Sequence, residues 1–126
     1  MRLAIETPQA PAPIGPYSQA IESGGVLFCS GQLGLDPISG NLVSGVEAQT
    51  KTALTNLAAV CERAGFKLIH SARCTIYLTN LADFEVVNRV YQGFFKPPYP
   101  ARTTVQVAAL PKGGLVEIDA VVVRTT

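Results

Sequence analysis

The stretch Val116-Glu117-Ile118-Asp119-Ala120-Val121-Val122-Val123 decides the fold, because apolar residues recur at every second position along it. A period of two is the pattern of a β-strand with one covered face. The covered face is expected to meet helices and consists of Val116, Ile118, Ala120 and Val122. The other face carries Glu117, Asp119, Val121 and Val123, a mixture too polar for a core and too apolar for open water. We therefore expect this second face to pack against another copy of the chain.

Outward from this strand, the sequence predicts strands, a helix, a strand, a helix and two closing strands. Ser44 and Glu47 have capping-box spacing and should open the first helix, which Gly65 ends. The second helix should run from near residue 80 to about residue 95, and Gly24-Gly25 indicates a hairpin turn. The strands are expected at residues 2–7, before Gly24, and at 26–30, 71–79, 103–110 and 115–124. The result is a single α+β domain over residues 1–126, with helices packed on one sheet face.

Composition excludes several functional classes. Hydrophobic residues make up 48% and charged residues 15% of the 126 residues, the net charge is +1, and no basic run is present. The sequence therefore does not predict nucleic acid as a partner, and no segment has the length of a membrane span or the apolar core of a signal peptide. Three widely spaced cysteines are expected to be buried and reduced, as in a cytoplasmic protein. With a single histidine, His70, the sequence predicts no metal site.

Arg102 is the first candidate functional residue. It lies in Pro100-Ala101-Arg102-Thr103-Thr104, where proline restricts the backbone beside a guanidinium that can hold a carboxylate through two parallel hydrogen bonds. Thr104 and Gln106 share its face of the strand, which we assign to the same open side as Glu117. The alternative is a surface arginine in an ordinary ion pair.

Glu117 is the second candidate. A carboxylate among β-branched neighbours has a raised pKa and can position or deprotonate water, although an exposed strand glutamate is the common alternative. If the last two strands formed a hairpin around residues 111–114, Arg102 would lie opposite Val123, roughly 20 Å from Glu117. No small substrate spans that distance, so a site that uses both residues should join two subunits.

Other candidates are less specific. Tyr17 is suited to close over a ligand as an aromatic lid or to pack on the sheet edge. Ser30 and Gly31 end a strand, where a hydroxyl and an open backbone can meet a ligand. Asn88, on the second helix, is equally suited to cap backbone and to reach a ligand.

Several motifs, in order, resemble the RidA/YjgF family across nearly the whole chain. They are Gly15-Pro16-Tyr17-Ser18-Gln19-Ala20, Ser30-Gly31-Gln32, Asp36-Pro37 with Gly40, Asn88 with the aromatic run 91–95, Pro100-Ala101-Arg102, Val107-Ala108-Ala109-Leu110-Pro111-Lys112-Gly113 and Glu117-Ile118-Asp119-Ala120. The resemblance implies a chorismate-mutase-like α+β fold, with a mixed sheet and two helices on one face. It also implies a homotrimer whose sheets line a central barrel, with clefts between subunits.

The resemblance further implies a deaminase that hydrolyses 2-iminobutanoate and 2-iminopropanoate to 2-oxo acids and ammonia, without a cofactor. By position, Arg102 matches the carboxylate-binding arginine and Glu117 the glutamate that handles water. The residues that match the lining of the cleft are Tyr17, Ser30, Gly31 and Asn88. Thr104 stands where many bacterial members have cysteine; its backbone groups would remain in the site.

Two alternatives stay open at this stage. One is an endoribonuclease or translation inhibitor, which would be expected to use paired acid–base groups and a basic groove. The other is a non-catalytic small-acid-binding or chaperone-like protein.

Overall fold

The computed structural model describes residues 1–125, and the α+β prediction is confirmed. In this part of the chain the strands are β1 (Leu3–Ile5), β2 (Ala20–Ser23), β3 (Val26–Leu33), β4 (Ser71–Leu78), β5 (Ala101–Gln106) and β6 (Val116–Val123). The helices are α1 (Val46–Arg63) and α2 (Phe84–Gln92). All six strands form one sheet in the order β1-β2-β3-β6-β4-β5.

The hairpin considered for the last two strands does not form. β4 lies between β5 and β6, pairing parallel with β5 and antiparallel with β6. A parallel pair needs a crossover connection, and α2 supplies it between β4 and β5. β5 is therefore an edge strand, and β6 is central, between β3 and β4.

The core forms between the helices and one face of the sheet. α1 packs on β3 and β6 and against α2. The alternation in β6 is confirmed, since Val116, Ile118, Ala120 and Val122 are all at most 1% exposed. Cys29, Cys61 and Cys74 are buried free thiols in this core, also as expected.

The opposite face of the sheet is open in the protomer and carries apolar side chains. Phe28 pairs with Val121, and Val26 pairs with Val123. Phe28 is 49% and Val123 41% exposed, although both belong to inner strands of the sheet. A surface of this kind is typical of an interaction site.

The start of α1 differs from the expected capping box. Gly45, not Ser44, is the capping residue, and no side chain caps the helix. Gly45 has φ 88°, a conformation that glycine adopts easily, and its carbonyl accepts a hydrogen bond from Gln49 N at 2.9 Å. The turn signal at Gly24-Gly25 is confirmed, with φ 59° and 78°.

Residues 1–125 contain neither a helix suited to span a membrane nor a cluster of metal-ligating side chains. No helix there has the length and apolar character needed to cross a membrane. No group of three or more histidine, cysteine or acidic side chains there could hold a metal ion.

Candidate active site

Arg102 projects to the helix side of the sheet, not to the open side as the sequence predicted. It pairs with buried Cys74 across the β4–β5 ladder, and paired residues of neighbouring strands share a face. Its Cζ lies 4.8 Å from the ring centroid of Tyr91 and 5.6 Å from that of Phe84, both on α2. Thr104 and Gln106 share this face, as expected, but it is the face that α2 covers.

The guanidinium of Arg102 has no carboxylate partner among residues 1–125 of its own chain. Among residues 1–125 the only ion pair joins Arg124 to Glu22. Arg102 instead borders a cavity of about 400 Å³ whose lining residues are Asn88, Tyr91, Gln92, Tyr99, Pro100 and Arg102. We call this the arginine cavity. A cation held against two rings, with unpaired donors beside a cavity, is suited to bind a small carboxylate.

Glu117 lies on the open face of β6, opposite Leu33 of β3 and Tyr77 of β4. It borders a second cavity, of about 290 Å³, which we call the glutamate cavity. The residues that line it include Tyr17, Gly31, Gln32, Pro111 and Lys112. Burial raises the pKa of the Glu117 carboxyl, and the nearby negative charge of Asp119 adds to the effect. A carboxylate shifted in this direction can accept a proton from water nearer neutral pH.

Gly31 makes room for the Glu117 carboxylate. A Cβ placed on Gly31 would lie 2.8 Å from Cδ and 3.0 Å from Cγ of Glu117, closer than real Cβ contacts. The β3–β6 pairing is also irregular here, between Cys29 and Gln32. The glycine and the bulge together let the glutamate side chain lie directly against the β3 backbone.

Gly31→Ala is therefore expected to displace the Glu117 side chain and to lower the free energy of unfolding by about 1–3 kcal/mol, as for an overpacked site. Thermal denaturation and a carboxyl NMR titration of Glu117 would measure both effects. Gly93→Ala is the control, because its Cβ would only approach the Val90 carbonyl, at 3.3 Å. An unchanged Glu117 titration in Gly31→Ala would contradict the close approach.

The loop of residues 6–19 is fastened over the glutamate cavity by Gln19. This buried amide accepts a hydrogen bond from Thr7 N at 2.7 Å and donates to the carbonyls of Thr7, Ala10 and Pro11 at 2.9–3.3 Å. Tyr17, 53% exposed, ends the loop, and its hydroxyl accepts a hydrogen bond from Ile14 N at 3.3 Å. Tyr17 therefore borders the cavity rather than packing in the core.

Two of the remaining predicted residues line a cavity, and the other two, Ser30 and Thr104, line neither. Asn88 lines the arginine cavity, and Gly31 lines the glutamate cavity. The Ser30 hydroxyl donates to the Ser18 carbonyl at 2.6 Å, so it holds the loop beside Tyr17. The Thr104 Oγ1 is buried and has no hydrogen-bond partner among residues 1–125.

Arg102 and Glu117 do not meet within one protomer. Cys74, the partner of Arg102, and Tyr77, the partner of Glu117, are three residues apart on β4, which places the two backbones ~14 Å apart. This is shorter than the ~20 Å expected from the hairpin register. The two side chains, however, project from opposite faces of the sheet. The arginine and glutamate cavities are two separate half-sites.

Sequence reasoning did not single out Tyr91 and Tyr99 at the arginine cavity or Lys112 at the glutamate cavity. In the sequence, Tyr91 stands out only as part of the aromatic run 91–95. Its position three residues after Asn88, on the same helix face, is the signal that links it to the cavity.

Known proteins resemble this chain over almost its full length. The family model described as Endoribonuclease L-PSP matches residues 7–124. A 2-iminobutanoate/2-iminopropanoate deaminase from Bos taurus is 47% identical over 125 residues, which cover 98% of this chain and 91% of that protein.

Solved structures give the same result. RidA from the Antarctic bacterium Psychrobacter sp. is 45% identical with a TM-score of 0.94, covering 96% of this chain and 98% of the other. TdcF from E. coli, solved with bound serine, is 38% identical with a TM-score of 0.93, covering 98% and 99%. On the family match, these relatives and the shared fold, the chain belongs to the RidA/YjgF family, described as Endoribonuclease L-PSP.

Proposed function

We propose that this chain is a 2-iminobutanoate/2-iminopropanoate deaminase that works in clefts between the subunits of a homotrimer. The observation that carries the proposal is that Arg102 and Glu117 border separate cavities on opposite faces of one sheet. Each protomer thus has one cavity suited to bind a carboxylate and another suited to activate water. A complete site would form only where the arginine cavity of one copy meets the glutamate cavity of a second copy. The name of the bovine relative supports the choice of substrate.

The arginine half would hold the carboxylate of the imino acid. Arg102 has no competing anion in the described part of its chain, and the rings of Tyr91 and Phe84 limit its movement. A bidentate contact would fix the carboxylate and with it the adjacent imine carbon, which turns the attack of water into a positioned step.

The glutamate half would activate water. The imine binds in its protonated, iminium form. Glu117 takes a proton from a water molecule while the oxygen bonds to the iminium carbon and the C=N π electrons move to nitrogen, giving a neutral carbinolamine. Glu117 then gives this proton to the amine nitrogen and takes the hydroxyl proton as the C–N bond breaks, so that the 2-oxo acid forms and the nitrogen leaves as ammonia, which carries the last proton away as ammonium. The reaction changes no oxidation state, so the proposal includes no cofactor and no metal.

The trimer is supported by the open face of the sheet. Phe28, Val121 and Val123 form an apolar surface there that a monomer would leave in water. Packing three sheets around a central barrel, in a chorismate-mutase-like assembly, would bury this surface and bring the arginine cavity of one protomer near the glutamate cavity of the next. A cytoplasmic location belongs to the same proposal and fits the three free cysteines.

Coupling a threonine dehydratase to this protein and following the disappearance of the released imine tests the activity. The proposal expects the imine to be lost faster than in buffer, with 2-oxobutanoate and ammonia formed in equal amounts. Loss at the rate of buffer alone would refute it.

The rival activities predict different outcomes. A ribonuclease would degrade RNA at a salt-sensitive rate that Arg102→Ala abolishes. The only histidine, His70, lies in the short turn before β4 and borders neither cavity among the described residues, which disfavours acid–base cleavage of RNA. A non-catalytic acid-binding or chaperone-like protein would bind oxo acids without accelerating the loss of imine.

The pH profile provides a further prediction. Glu117 must be ionised to act as a base, so activity should appear as the pH rises through its raised pKa. Asp119→Asn removes a negative charge that raises this pKa, and the acid limb of kcat/KM should therefore move to lower pH. Measuring kcat/KM against pH for both proteins checks this.

Asp119 also accepts hydrogen bonds from Thr75 N at 3.2 Å and from the Tyr77 hydroxyl at 3.0 Å. Tyr77→Phe is the control, since it removes one of these bonds and leaves the Asp119 charge. An acid limb that stays in place, or moves up, in Asp119→Asn would contradict the assignment of Glu117 as the base.

A further inference from the structure

α2 presents two aromatic rings to the guanidinium of Arg102. Phe84 and Tyr91 are seven residues apart, two helical turns, and so lie on the same face of α2. The Arg102 Cζ lies 5.6 Å and 4.8 Å from their centroids. Both distances are within the range at which a cation over a ring is attracted by the ring's quadrupole.

The rings themselves are held in place. Tyr91 is 5% exposed and packs against Phe95 with the centroids 4.5 Å apart. Val87, 1% exposed, fills the helix face between Phe84 and Tyr91. The side chain of Arg102 is intrinsically mobile and comes from an edge strand, so these contacts are what limits its orientation.

The Tyr91 hydroxyl is buried beside the Cys74 thiol and has no other partner among residues 1–125. A thiol is a weak hydrogen-bond partner, so a phenylalanine would keep the ring at little cost. The ring is the part of Tyr91 that lies against the Arg102 guanidinium.

We propose that Tyr91 and Phe84 are positioning residues, which hold the guanidinium of Arg102 in the orientation that binds the substrate carboxylate. This inference rests on the proposed function, because it makes binding of the 2-imino or 2-oxo acid depend on Tyr91 and Phe84 as well as on Arg102. A leucine at either position would fill space but leave the guanidinium free to rotate away.

Calorimetric titration of the assembled protein with 2-oxobutanoate, the product, tests the proposal independently of catalysis. Tyr91→Leu should weaken binding roughly tenfold and Phe84→Leu about threefold, since an aromatic face holds a cation and an aliphatic side chain does not. Tyr91→Phe keeps the ring and should restore the affinity to within about threefold of wild type. Phe84 is 37% exposed, so its variant keeps the test valid if Tyr91→Leu fails to fold.

Phe66→Leu is the matched control. Phe66 also carries an arginine over its ring, with the Cζ of Arg124 4.3 Å from the centroid, but it borders neither cavity. Its loss should leave the dissociation constant for 2-oxobutanoate unchanged.

The outcomes separate this inference from the deaminase proposal. If Tyr91→Leu and Phe84→Leu bind 2-oxobutanoate as wild type does, or if wild type does not bind it, the positioning role is overturned, whatever the rate of imine loss. If both variants bind more weakly and Tyr91→Phe recovers, the role is supported, even in a protein that proves not to hydrolyse imines.

Discussion

Replacing Arg102 by lysine is expected to lower kcat/KM for 2-iminobutanoate roughly 10- to 100-fold, even though the positive charge is kept. Lysine offers one compact ammonium in place of two parallel donors, and it has no planar group to lie against Tyr91 and Phe84. The coupled dehydratase assay measures the effect, and calorimetry with 2-oxobutanoate should show weaker binding.

Arg124→Lys is the control for this substitution. Arg124 likewise stacks on a ring, that of Phe66, and pairs with Glu22 at 2.7 Å, but it lies outside both cavities. It should keep wild-type kcat/KM. If Arg102→Lys also had wild-type kcat/KM, the proposal that Arg102 binds the substrate carboxylate through two parallel hydrogen bonds would be wrong.

Replacing Glu117 by glutamine is expected to lower kcat by about 10²- to 10⁴-fold, the usual contribution of a positioned general base. Glutamine keeps the shape that fits against Gly31 but cannot take a proton from water. Because the base would act after the carboxylate is bound, the affinity for 2-oxobutanoate should change little. Single-turnover kinetics with enzymatically generated imine would separate kcat from binding.

The free energy of unfolding of Glu117→Gln should also be measured, because an unfolded variant would lose activity whether or not Glu117 is the base. The pKa of Glu117 is raised in the folded protein, so its ionised form opposes folding, and this cost grows as the pH rises from the unfolded pKa through the folded one. Glu117→Gln removes the cost and should be at least as stable as wild type at neutral pH. An inactive variant that is also unfolded would not support the base assignment, and an active one would contradict it.

Local patterns in the sequence predicted much of the fold. The alternation in β6 depends only on the period of two, and it correctly separated Val116, Ile118 and Ala120 from Glu117 and Asp119. The glycine pair at 24–25 and the burial of the cysteines also followed from local composition.

Strand pairing and the orientation of β5 were not predictable in this way. A period of two shows that Arg102 and Thr104 share a face but not which face it is, and the polar character of β5 favoured the wrong one. The turn at residues 111–114 looked like a hairpin loop because local signals carry no information about which distant strand, here β4, inserts between two neighbours.

Of the seven candidate residues, five border a cavity, whereas Ser30 and Thr104 border neither. Arg102, Asn88, Tyr17, Gly31 and Glu117 all border one of the two cavities. The aromatic contacts of Arg102 depend on how α2 lies over the edge strand. The fit of the glutamate depends on the bulge in β3. Both are tertiary features.

Subunit complementation tests the central claim most directly. Arg102→Lys and Glu117→Gln chains, each expected to keep at most about a tenth of wild-type activity alone, should be unfolded, mixed in equal amounts and refolded together. The Glu117→Gln chains keep Arg102, and the Arg102→Lys chains keep Glu117. If each cleft takes its arginine from one chain and its glutamate from a neighbour, about one quarter of the clefts in randomly assembled trimers contain both native residues. The account predicts that the mixture recovers about one quarter of wild-type activity. A mixture as inactive as its separate components, although assembled, would place both residues in the same protomer's site and contradict the account.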